Sequence, residues 1–524
     1  MDTPRVIREL HYGDRVVRCF EERPSNVDAM FRDAVVKFPD RAALILDDER
    51  LSYVELDRRV ESLASGLLER GLVKGDRLAL LIGNRIEFVV AVLAASRVGI
   101  ISVPLNIRQR APEIEFVLNQ CAAAGLIYEA QFGVNLPERA STPALRVVCS
   151  IGSTKDIDFV DIAGCGKRAP PSAIDEEDIF CLLYTSGTTG RPKGAMLTHL
   201  GMVHSALHYQ YGMSLRPGAE VSVLAVPGSH VTGLVANILT MIRVGGTTVM
   251  MPTFKARLFL EIAAREGMTH SLIVPAMYNL CLLDPEFGNF DLSRWRVGGF
   301  GGAPMPQATI AALAERLPQL TLMNCYGSTE TTSPATLLPA GDAAMRADSV
   351  GRALHCAEIV VVDDEGREVA PGESGELWIA GPMTVPGYWD NPEGTRAGFV
   401  GGYWRSGDIG SMDADGYTRI FDRKKDMINR GGFKIYCIEV ENVLAYHPGV
   451  VECAIVGVPD PVLGERVKAV VVPSDHHPSA DELRTFCAER LSDYKVPEII
   501  SFLNQPLPRN ANGKVMKTEL KSGF

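Results

Sequence analysis

The sequence lacks the features that mark several classes of protein. Its 524 residues include eleven cysteines, but no two of them form a Cys-x-x-Cys pair, so we do not expect a zinc site. The 53 lysines and arginines are outnumbered by 64 aspartates and glutamates, and the net charge of −11 argues against a general nucleic-acid binder. A local basic pocket for nucleotide phosphates remains compatible with this balance.

A long uninterrupted hydrophobic run is also missing. The most apolar region, 78–105, is broken by Asn84, Arg85, Glu87 and Arg97. It is typical of a strand, a helix and a second strand, and too polar for a membrane span.

Neither end of the sequence has the pattern of a targeting signal. Residues 1–6 carry charges where a signal peptide would be apolar, and residues 521–524 do not spell a peroxisomal signal. An odd number of scattered cysteines is typical of reduced thiols. We therefore expect a cytoplasmic protein without integral membrane association.

What is present is the composition of a large globular protein, with 46% hydrophobic and 22% charged residues. The length indicates two to four structural units. Apolar, strand-like runs alternate with amphipathic stretches over most of the chain, which predicts an α/β fold with largely parallel sheets. The clearest of these segments are 77–82, 87–95, 100–103, 221–226, 235–243, 247–251, 262–266 and 271–274.

The pattern changes towards the C-terminus. Short strands separated by turn residues predict a small β-barrel-like subdomain at about 354–422. Residues 423–426 are dense in charge and predict a linker, and 427–524 has the mixed helices and strands of a small α+β domain. We therefore predict a large N-terminal domain at 1–422, joined through 423–426 to a small C-terminal domain at 427–524.

The most informative run of residues is Tyr184–Gly194. It holds three glycines, four aliphatic hydroxyls and two cations, a composition that suits a loop around a polyphosphate. A Walker A loop is excluded, because Gly187 and Gly190 are too close together and Gly194 follows Lys193 where Ser or Thr is needed. Composition alone does not exclude the alternative interpretation, that this run is a surface turn that binds no ligand.

The full spelling of this run resembles the phosphate loop of the adenylate-forming superfamily. That superfamily comprises acyl-CoA synthetases, aryl-CoA ligases, luciferases and the adenylation domains of peptide synthetases, and this chain is most like an acyl-CoA synthetase. Further segments match it in order, from about residue 30 to the C-terminus. They are Asn324–Thr332, Tyr403–Gly410, Asp422–Asp426, Asn429–Glu439 and Pro508–Lys517. Taken singly, each could be a turn, an edge strand, a charged linker or an exposed lysine.

The resemblance implies residues for ATP and Mg²⁺. In the phosphate loop they are Thr185, Ser186, Gly187, Thr188, Thr189, Gly190 and Lys193. Tyr326 would stack on adenine, and Gly327 would also bind the nucleotide. Thr329 would contact the α-phosphate, and Glu330 with Thr185 would hold Mg²⁺, which prefers oxygen ligands.

The resemblance also assigns the segments around the linker. Asp408 and Arg423 would hold the ribose, and Lys425 would be the pivot of a mobile C-terminal domain, which makes 423–426 a hinge. Gly431 and Gly432 would contact coenzyme A.

Two positions near the C-terminus complete the resemblance. Lys514 matches the lysine that makes the adenylate, since a flexible cation can reach both the carboxylate and the α-phosphate. At position 437 the superfamily usually has proline, but this sequence has cysteine. We expect this difference to change the turn only modestly and to cause no loss of activity.

Two weaker matches concern the acyl side. His230 would be a catalytic gate between the acyl pocket and the CoA channel. It follows Ser229, however, where members of the superfamily usually have an aromatic residue. The alternative that His230 is simply a buried histidine with a structural role stays open. Gly302, Ala303 and Pro304 resemble the segment that lines the acyl pocket and the adenine site. The glycines at 298, 299, 301 and 302 suggest room there.

These matches predict an ATP-dependent acyl-CoA synthetase that forms an acyl adenylate and then a thioester. The expected substrates and cofactors are a carboxylic acid, ATP, Mg²⁺ and coenzyme A, with no nucleic-acid partner and a homodimer left open. Because no cation clearly faces the pocket, although Arg294 and Arg296 are near in sequence, a neutral aliphatic or aromatic monocarboxylate is favoured. The alternatives are a stand-alone adenylation enzyme that loads a carrier protein and a nucleotide-binding regulator without chemistry.

Overall fold

The structure is a computed structural model. It describes residues 4–152, 155–164, 169, 172–185, 191–474, 476–509 and 515–522. The chain divides into two compact units: Met1–Ile359, Trp378–Arg405 and Gly416–Thr418 form the larger, and Val360–Leu377, Ser406–Asp415 and Arg419–Phe524 form the smaller.

Strands are numbered along the described part of the chain. The first eighteen are β1 (Val6–His11), β2 (Arg15–Phe20), β3 (Ala42–Leu46), β4 (Glu49–Ser52), β5 (Arg77–Leu81), β6 (Ile101–Pro104), β7 (Gly125–Glu129), β8 (Val147–Ile151), β9 (Ile157–Asp158), β10 (Ile179–Thr185), β11 (Lys193–Thr198), β12 (Val221–Leu224), β13 (Thr247–Met250), β14 (His270–Ile273), β15 (Val297–Phe300), β16 (Thr321–Tyr326), β17 (Thr336–Leu337) and β18 (Arg352–Ala353). The later ones are β19 (Glu358–Val362), β20 (Ser374–Ala380), β21 (Phe399–Val400), β22 (Tyr403–Met412), β23 (Thr418–Arg423), β24 (Ile428–Arg430), β25 (Phe433–Ile435), β26 (Val450–Asp460), β27 (Gly464–Pro473) and β28 (Ile499–Phe502).

Helices are numbered over the same residues. The α-helices are α1 (Val27–Lys37), α2 (Tyr53–Glu69), α3 (Ile86–Val98), α4 (Ala111–Gln120), α5 (Phe159–Ala163), α6 (His199–Gly212), α7 (Thr240–Val244), α8 (Ala256–Glu266), α9 (Pro275–Leu282), α10 (Gln307–Arg316), α11 (Pro392–Gly398), α12 (Cys437–Ala445), α13 (Ala480–Ala488) and α14 (Lys517–Ser522). Short 3₁₀ turns are Ala130–Asn135, Arg139–Ser141, Phe287–Asn289, Thr329–Thr331 and Asp493–Lys495, and a π-helix spans Thr232–Leu239. Along this part of the chain, no helix combines the length and the apolarity needed to cross a membrane.

The larger unit contains two large sheets. One has the order β11-β10-β6-β5-β7-β8-β9, and the other has the order β18-β17-β16-β15-β14-β12-β13-β3-β4. Their central strands run parallel, as the alternation of apolar runs predicts. The carboxyl ends of β12, β14, β15 and β16 therefore meet at one edge of the second sheet.

Helix α3 lies between these two sheets. It contacts β5 and β6 of the first sheet and β3 of the second. Of its thirteen residues, all but Glu87 are buried, because ten of them are apolar and the helix is covered on both faces. Gly99 ends the helix in a left-handed conformation, with φ 72°, which a side chain would disfavour.

Asn84 ties the first sheet to the second. Its buried amide donates to the carbonyls of Leu224, Val226 and Met251 at 2.9–3.2 Å, and its oxygen accepts from the Gly228 amide at 2.8 Å. The loop after β5 is thereby fixed to the ends of β12 and β13.

We predict that Asn84→Ala lowers the free energy of unfolding by about 2–4 kcal/mol, since several buried backbone groups lose their partner at once. Chemical denaturation followed by fluorescence measures this. The control is Asn119→Ala, which removes an amide bonded to Ser141 near the surface and should change stability little. An equally small effect at both positions would contradict the role given to Asn84.

The predicted β-rich region contains a sheet of short strands in the order β19-β20-β22-β21, with β23 beside β22. The division between the two units runs along the chain through β19, β20, β22 and β23. The proposed boundaries at 422 and 427 are not tested by this division and remain predictions.

The smaller unit has a sheet in the order β25-β24-β27-β26, with β28 parallel to β27. Its strands bury both faces. Ile455 and Val471 face a core shared with α12 and α13, whereas Ala454 and Val470 face a second core that includes Leu520 of α14. The structure confirms the predicted fold class, a large sheet-rich α/β part followed by a smaller α+β part.

Candidate active site

The predicted phosphate loop connects two strands of one hairpin. β10 and β11 are antiparallel, and Thr185 at the end of β10 lies opposite Lys193 at the start of β11. The hairpin therefore presents the hydroxyl and the cation side by side. Ser186, Gly187, Thr188, Thr189 and Gly190 lie outside the described residues, as does Lys514, and their roles stay predictions.

A second part of the site follows two neighbouring parallel strands. Phe300 of β15 lies beside Asn324 of β16, so the segments after both strands leave the same edge of the sheet. Tyr326 is the last residue of β16, and the segments after the two strands carry the other predicted residues, Gly302, Ala303, Pro304, Gly327, Thr329 and Glu330. The carboxyl edge of a parallel sheet is the usual place for a ligand site in this type of fold.

The expectation that the glycines after and within β15 leave room is wrong at three positions. A Cβ at Gly298 would lie 2.9 Å from the Tyr278 hydroxyl, and at Gly301 it would lie 2.3 Å from the Cys325 carbonyl. At Gly299 a Cβ would lie 2.9 Å from the methyl carbon of Met213. At Gly301 the close atom belongs to the backbone, so glycine is required there, whereas at Gly299 the close atom is the flexible end of the Met213 side chain. Only at Gly302, with φ 78°, would the added atom meet open space.

Glu330 is held by hydroxyl groups on both of its carboxylate oxygens. It is buried in the 3₁₀ turn that follows β16. Ser328 Oγ donates to Oε2 at 2.7 Å, Tyr388 Oη donates to Oε1 at 2.9 Å, and Thr185 Oγ1 lies 3.5 Å from Oε1. The structure thus brings together Glu330 and Thr185, the two predicted magnesium ligands. A carboxylate and a hydroxyl are hard oxygen donors of the kind that Mg²⁺ takes.

Tyr388 was missed by the sequence reasoning. The segment around it runs beside β11, because the Trp389 amide donates to the Gly194 carbonyl at 2.8 Å and the Met196 amide donates to the Gly387 carbonyl at 3.1 Å. Burial, and then the Glu330 carboxylate, raise the pKa of the Tyr388 phenol above its usual range. A lone tyrosine after Pro-Gly has no pattern that distinguishes it from a packing residue.

His230 lies at the point where the two sheets meet. Its half-buried ring accepts a hydrogen bond at Nε2 from the Asn106 side-chain amide, at 3.2 Å. Asn106 follows β6 and His230 follows β12, so the contact joins loops from both sheets. The catalytic gate remains a prediction.

Asp408 and Arg423 meet within the smaller unit. Arg423 Nε lies 2.8 Å from Asp408 Oδ1, and Nη1 donates to the Ser406 carbonyl at 3.1 Å. Asp408 is buried in β22 and Arg423 ends β23. The two residues predicted for the ribose are therefore adjacent, and the cation neutralises the carboxylate.

The first residue of the predicted hinge, Arg423, is the last residue of strand β23. Lys424 bonds Asp364 at 3.1 Å and Glu376 at 3.2 Å within the smaller unit, whereas Lys425 is exposed in the turn that follows. An exposed turn residue is compatible with a pivot, which stays a prediction.

Gly431 and Gly432 form a two-residue hairpin turn between β24 and β25. Their φ angles are 58° and 90°, and Arg430 pairs with Phe433 across the turn. Two successive positive φ angles require glycine here for a structural reason, independently of any ligand. Their contact with coenzyme A remains a prediction.

Cys437 contacts Asp426, at the end of the predicted hinge, and Asp422, the residue that precedes the hinge. Its backbone N–H donates to the Asp422 carboxylate, and its Sγ donates to the Asp426 carbonyl at 3.0 Å. Asp422 is buried, and burial raises its pKa. The proline that relatives usually have at this position could make neither bond.

We predict a larger effect at this position than the modest change in the turn expected from sequence. Cys437→Pro should lower the free energy of unfolding by about 1–3 kcal/mol, because the buried Asp422 loses a donor. Cys437→Ala, which keeps the N–H, should lower it less. Thermal melting of the full chain compares them, and equal melting temperatures for the proline variant and the wild type would refute the contact's importance.

Comparison with known proteins agrees with this arrangement. The family described as AMP-binding enzyme matches residues 31–389, and its C-terminal domain matches residues 439–514. A feruloyl-CoA synthase of Amycolatopsis sp is 35% identical over 475 residues, which covers 90% of this chain and 94% of that protein. The long-chain-fatty-acid–CoA ligase FadD13 of Mycobacterium tuberculosis (strain ATCC 25618 / H37Rv) is 34% identical over 508 residues, covering 95% and 98%.

A solved structure matches over nearly the whole length. The anthranilate CoA ligase AuaEII, in complex with anthranoyl-AMP, superimposes with a TM-score of 0.87 at 28% identity and covers 96% of this chain and 97% of that one. Both domains of the family model are present in order, and the relatives are covered almost completely. The chain therefore belongs to the AMP-binding enzyme family, as an adenylate-forming enzyme of the acyl-CoA synthetase type and an AMP-forming acid–thiol ligase.

Proposed function

We propose that this enzyme activates a neutral aromatic or aliphatic monocarboxylic acid with ATP and transfers the acyl group to coenzyme A. The observation that carries the proposal is the meeting of Thr185 and Glu330, 3.5 Å apart, beside Lys193 of the same hairpin. Two oxygen ligands and a cation are what a magnesium–polyphosphate substrate requires.

In the first step the acid's carboxylate attacks the α-phosphorus of ATP, an acyl adenylate forms and pyrophosphate leaves. Carboxylate and triphosphate repel each other, so catalysis consists mainly of alignment and charge neutralisation. Glu330 and Thr185 would hold Mg²⁺, which supplies positive charge to the phosphate oxygens when it is bound. Lys193 would neutralise the departing pyrophosphate.

In the second step the coenzyme A thiol attacks the acyl carbonyl of the adenylate, and AMP leaves as the thioester forms. This chemistry needs no cysteine or serine nucleophile of the protein. In the part of the chain that the structure describes, every cysteine is a free thiol, and all but Cys453 are buried.

The other roles are proposals that the motif resemblance supports. Lys514 would promote the first step, Tyr326 and Thr329 would contact the nucleotide, and Asp408 with Arg423 would hold its ribose. Gly302, Ala303, Pro304 and His230 would border the acyl group, with Gly431 and Gly432 near coenzyme A and Lys425 as the pivot between the two steps.

The choice of a monocarboxylic acid has two supports. Three of the matched proteins are named for ferulic acid, long-chain fatty acids and anthranilic acid, which carry one carboxyl group each, whereas a matched solved structure, o-succinylbenzoate CoA synthetase from Bacillus subtilis, is named for a dicarboxylic acid. Arg296 precedes β15 and forms an ion pair with the buried Glu220, so it is not free to bind a second carboxylate at the opposite end of that strand. We further propose a cytoplasmic location, and a homodimer remains a prediction.

The test is an acid panel that compares two acceptors. Purified enzyme is given ATP, Mg²⁺ and each of a set of aromatic, aliphatic and dicarboxylic acids, with either free coenzyme A or a phosphopantetheinyl carrier protein. We expect AMP and an acyl-CoA with at least one monocarboxylate. Acyl transfer only to the carrier protein would favour the loading enzyme, and adenylation only of dicarboxylates would overturn the proposed acid class.

A further inference from the structure

Tyr388 touches both charged groups of the magnesium–phosphate site. Its hydroxyl donates to Glu330 Oε1 at 2.9 Å, and the ammonium of Lys193 lies 5.1 Å from the centre of its ring. We infer that Tyr388 is a positioning residue: its hydroxyl fixes the Glu330 carboxylate for magnesium, and its ring supports the Lys193 ammonium. The inference rests on the proposed function and names a residue beyond the predicted ligands.

The hydroxyl acts together with Ser328. Ser328 binds Oε2 and Tyr388 binds Oε1, so the carboxylate is held at both oxygens and cannot rotate freely. Each oxygen keeps lone-pair directions that a metal ion can use. Hydrogen bonds to the ligating carboxylate typically change metal affinity by about 10–100-fold.

The ring supports the cation. A lysine ammonium within about 6 Å of a tyrosine ring is attracted by its negative face. The ring also contacts Phe399, whose ring packs edge-on at 5.6 Å and 65°. Packing against Phe399 restricts the orientation of the Tyr388 ring, so the ring can hold the Lys193 ammonium in one position.

The backbone of Tyr388 is fixed to the phosphate-loop hairpin itself. It forms a β-bridge with Ala195 of β11, and its amide donates to Thr395 Oγ1 at 3.0 Å. Lys193 begins that same strand. The hairpin and the Glu330 turn, which come from different sheets, are therefore joined through one side chain.

The experiment separates the hydroxyl from the ring. Tyr388→Phe keeps the ring and removes the hydroxyl, and Tyr388→Leu removes both. The matched control is Tyr403→Phe, because Tyr403 also donates to a glutamate, Glu358, but on the exposed surface. Calorimetry measures binding of a non-hydrolysable α,β-methylene ATP analogue at increasing Mg²⁺, and melting temperatures report folding.

We expect Tyr388→Phe to raise the Mg²⁺ concentration for half-maximal binding by about 10-fold. At saturating Mg²⁺ it should bind the analogue like the wild type, while Tyr388→Leu should still bind more weakly. The control should match the wild type throughout.

An unchanged Mg²⁺ dependence in a folded Tyr388→Phe would overturn the inference, and so would a loss of binding that Mg²⁺ does not restore. Failure of the proposed function is distinguishable from both, since the wild type itself would then form no AMP with any acid.

Discussion

Glu330→Gln should reduce acyl-adenylate formation by about 10²–10³-fold. The uncharged amide holds Mg²⁺ less well, so the positive charge that the ion supplies to the reacting phosphates is lost. Glutamine has nearly the same shape, and the hydroxyls of Ser328 and Tyr388 can still bond its amide. The fold should therefore survive while the affinity for magnesium falls. Acid-dependent pyrophosphate release, measured at several Mg²⁺ concentrations, gives the rate.

The matched control is Glu358→Gln. Glu358 also accepts a hydrogen bond from a tyrosine, Tyr403, but it is exposed and lies outside the site. We expect this variant to keep the wild-type rate. If Glu330→Gln kept it as well, Glu330 would not be a magnesium ligand.

Lys514→Ala should abolish the first half-reaction and spare the second. Lys514 is the predicted cation at the attacking carboxylate and the α-phosphate, and removing such a charge typically costs about 10²–10³-fold. Thiol attack on a finished adenylate does not need that charge. The measurement compares AMP formation from acid and ATP with thioester formation from synthetic acyl adenylate and coenzyme A.

Lys521→Ala, in α14 shortly after Lys514, is the control for this variant and should leave both half-reactions intact. Equal damage to both half-reactions in Lys514→Ala would remove its assigned role. A variant that retained adenylation would do the same.

The alternation of apolar and amphipathic runs was sufficient to predict the sheets. Strands such as β12 and β13 are fully buried and contain no charged residue, and each is separated from the next by a helix, which is the pattern of parallel strands. The hairpin β1–β2 was missed, because polar residues alternate irregularly in it. The wide turns of the π-helix at Thr232–Leu239 also leave no mark in an apolar segment.

Residues of the site could be predicted from the sequence only where they belong to a recognisable motif. Thr185 and Glu330 belong to separate motifs, and the structure brings them to 3.5 Å. Tyr388 lies 58 residues from Glu330, so only the fold reveals their hydrogen bond. Gly298 and Gly301 show the reverse difficulty, since a glycine can mean open space or crowding, and only the neighbouring atoms decide.

The central claim is tested most directly by isotope exchange between pyrophosphate and ATP in the absence of coenzyme A. Reversible adenylate formation requires labelled pyrophosphate to enter ATP only when both Mg²⁺ and an acceptable acid are present. We predict such exchange with at least one monocarboxylic acid, and its loss in Glu330→Gln. Exchange with no acid of a broad panel, by enzyme that is folded and binds ATP, would contradict the claim.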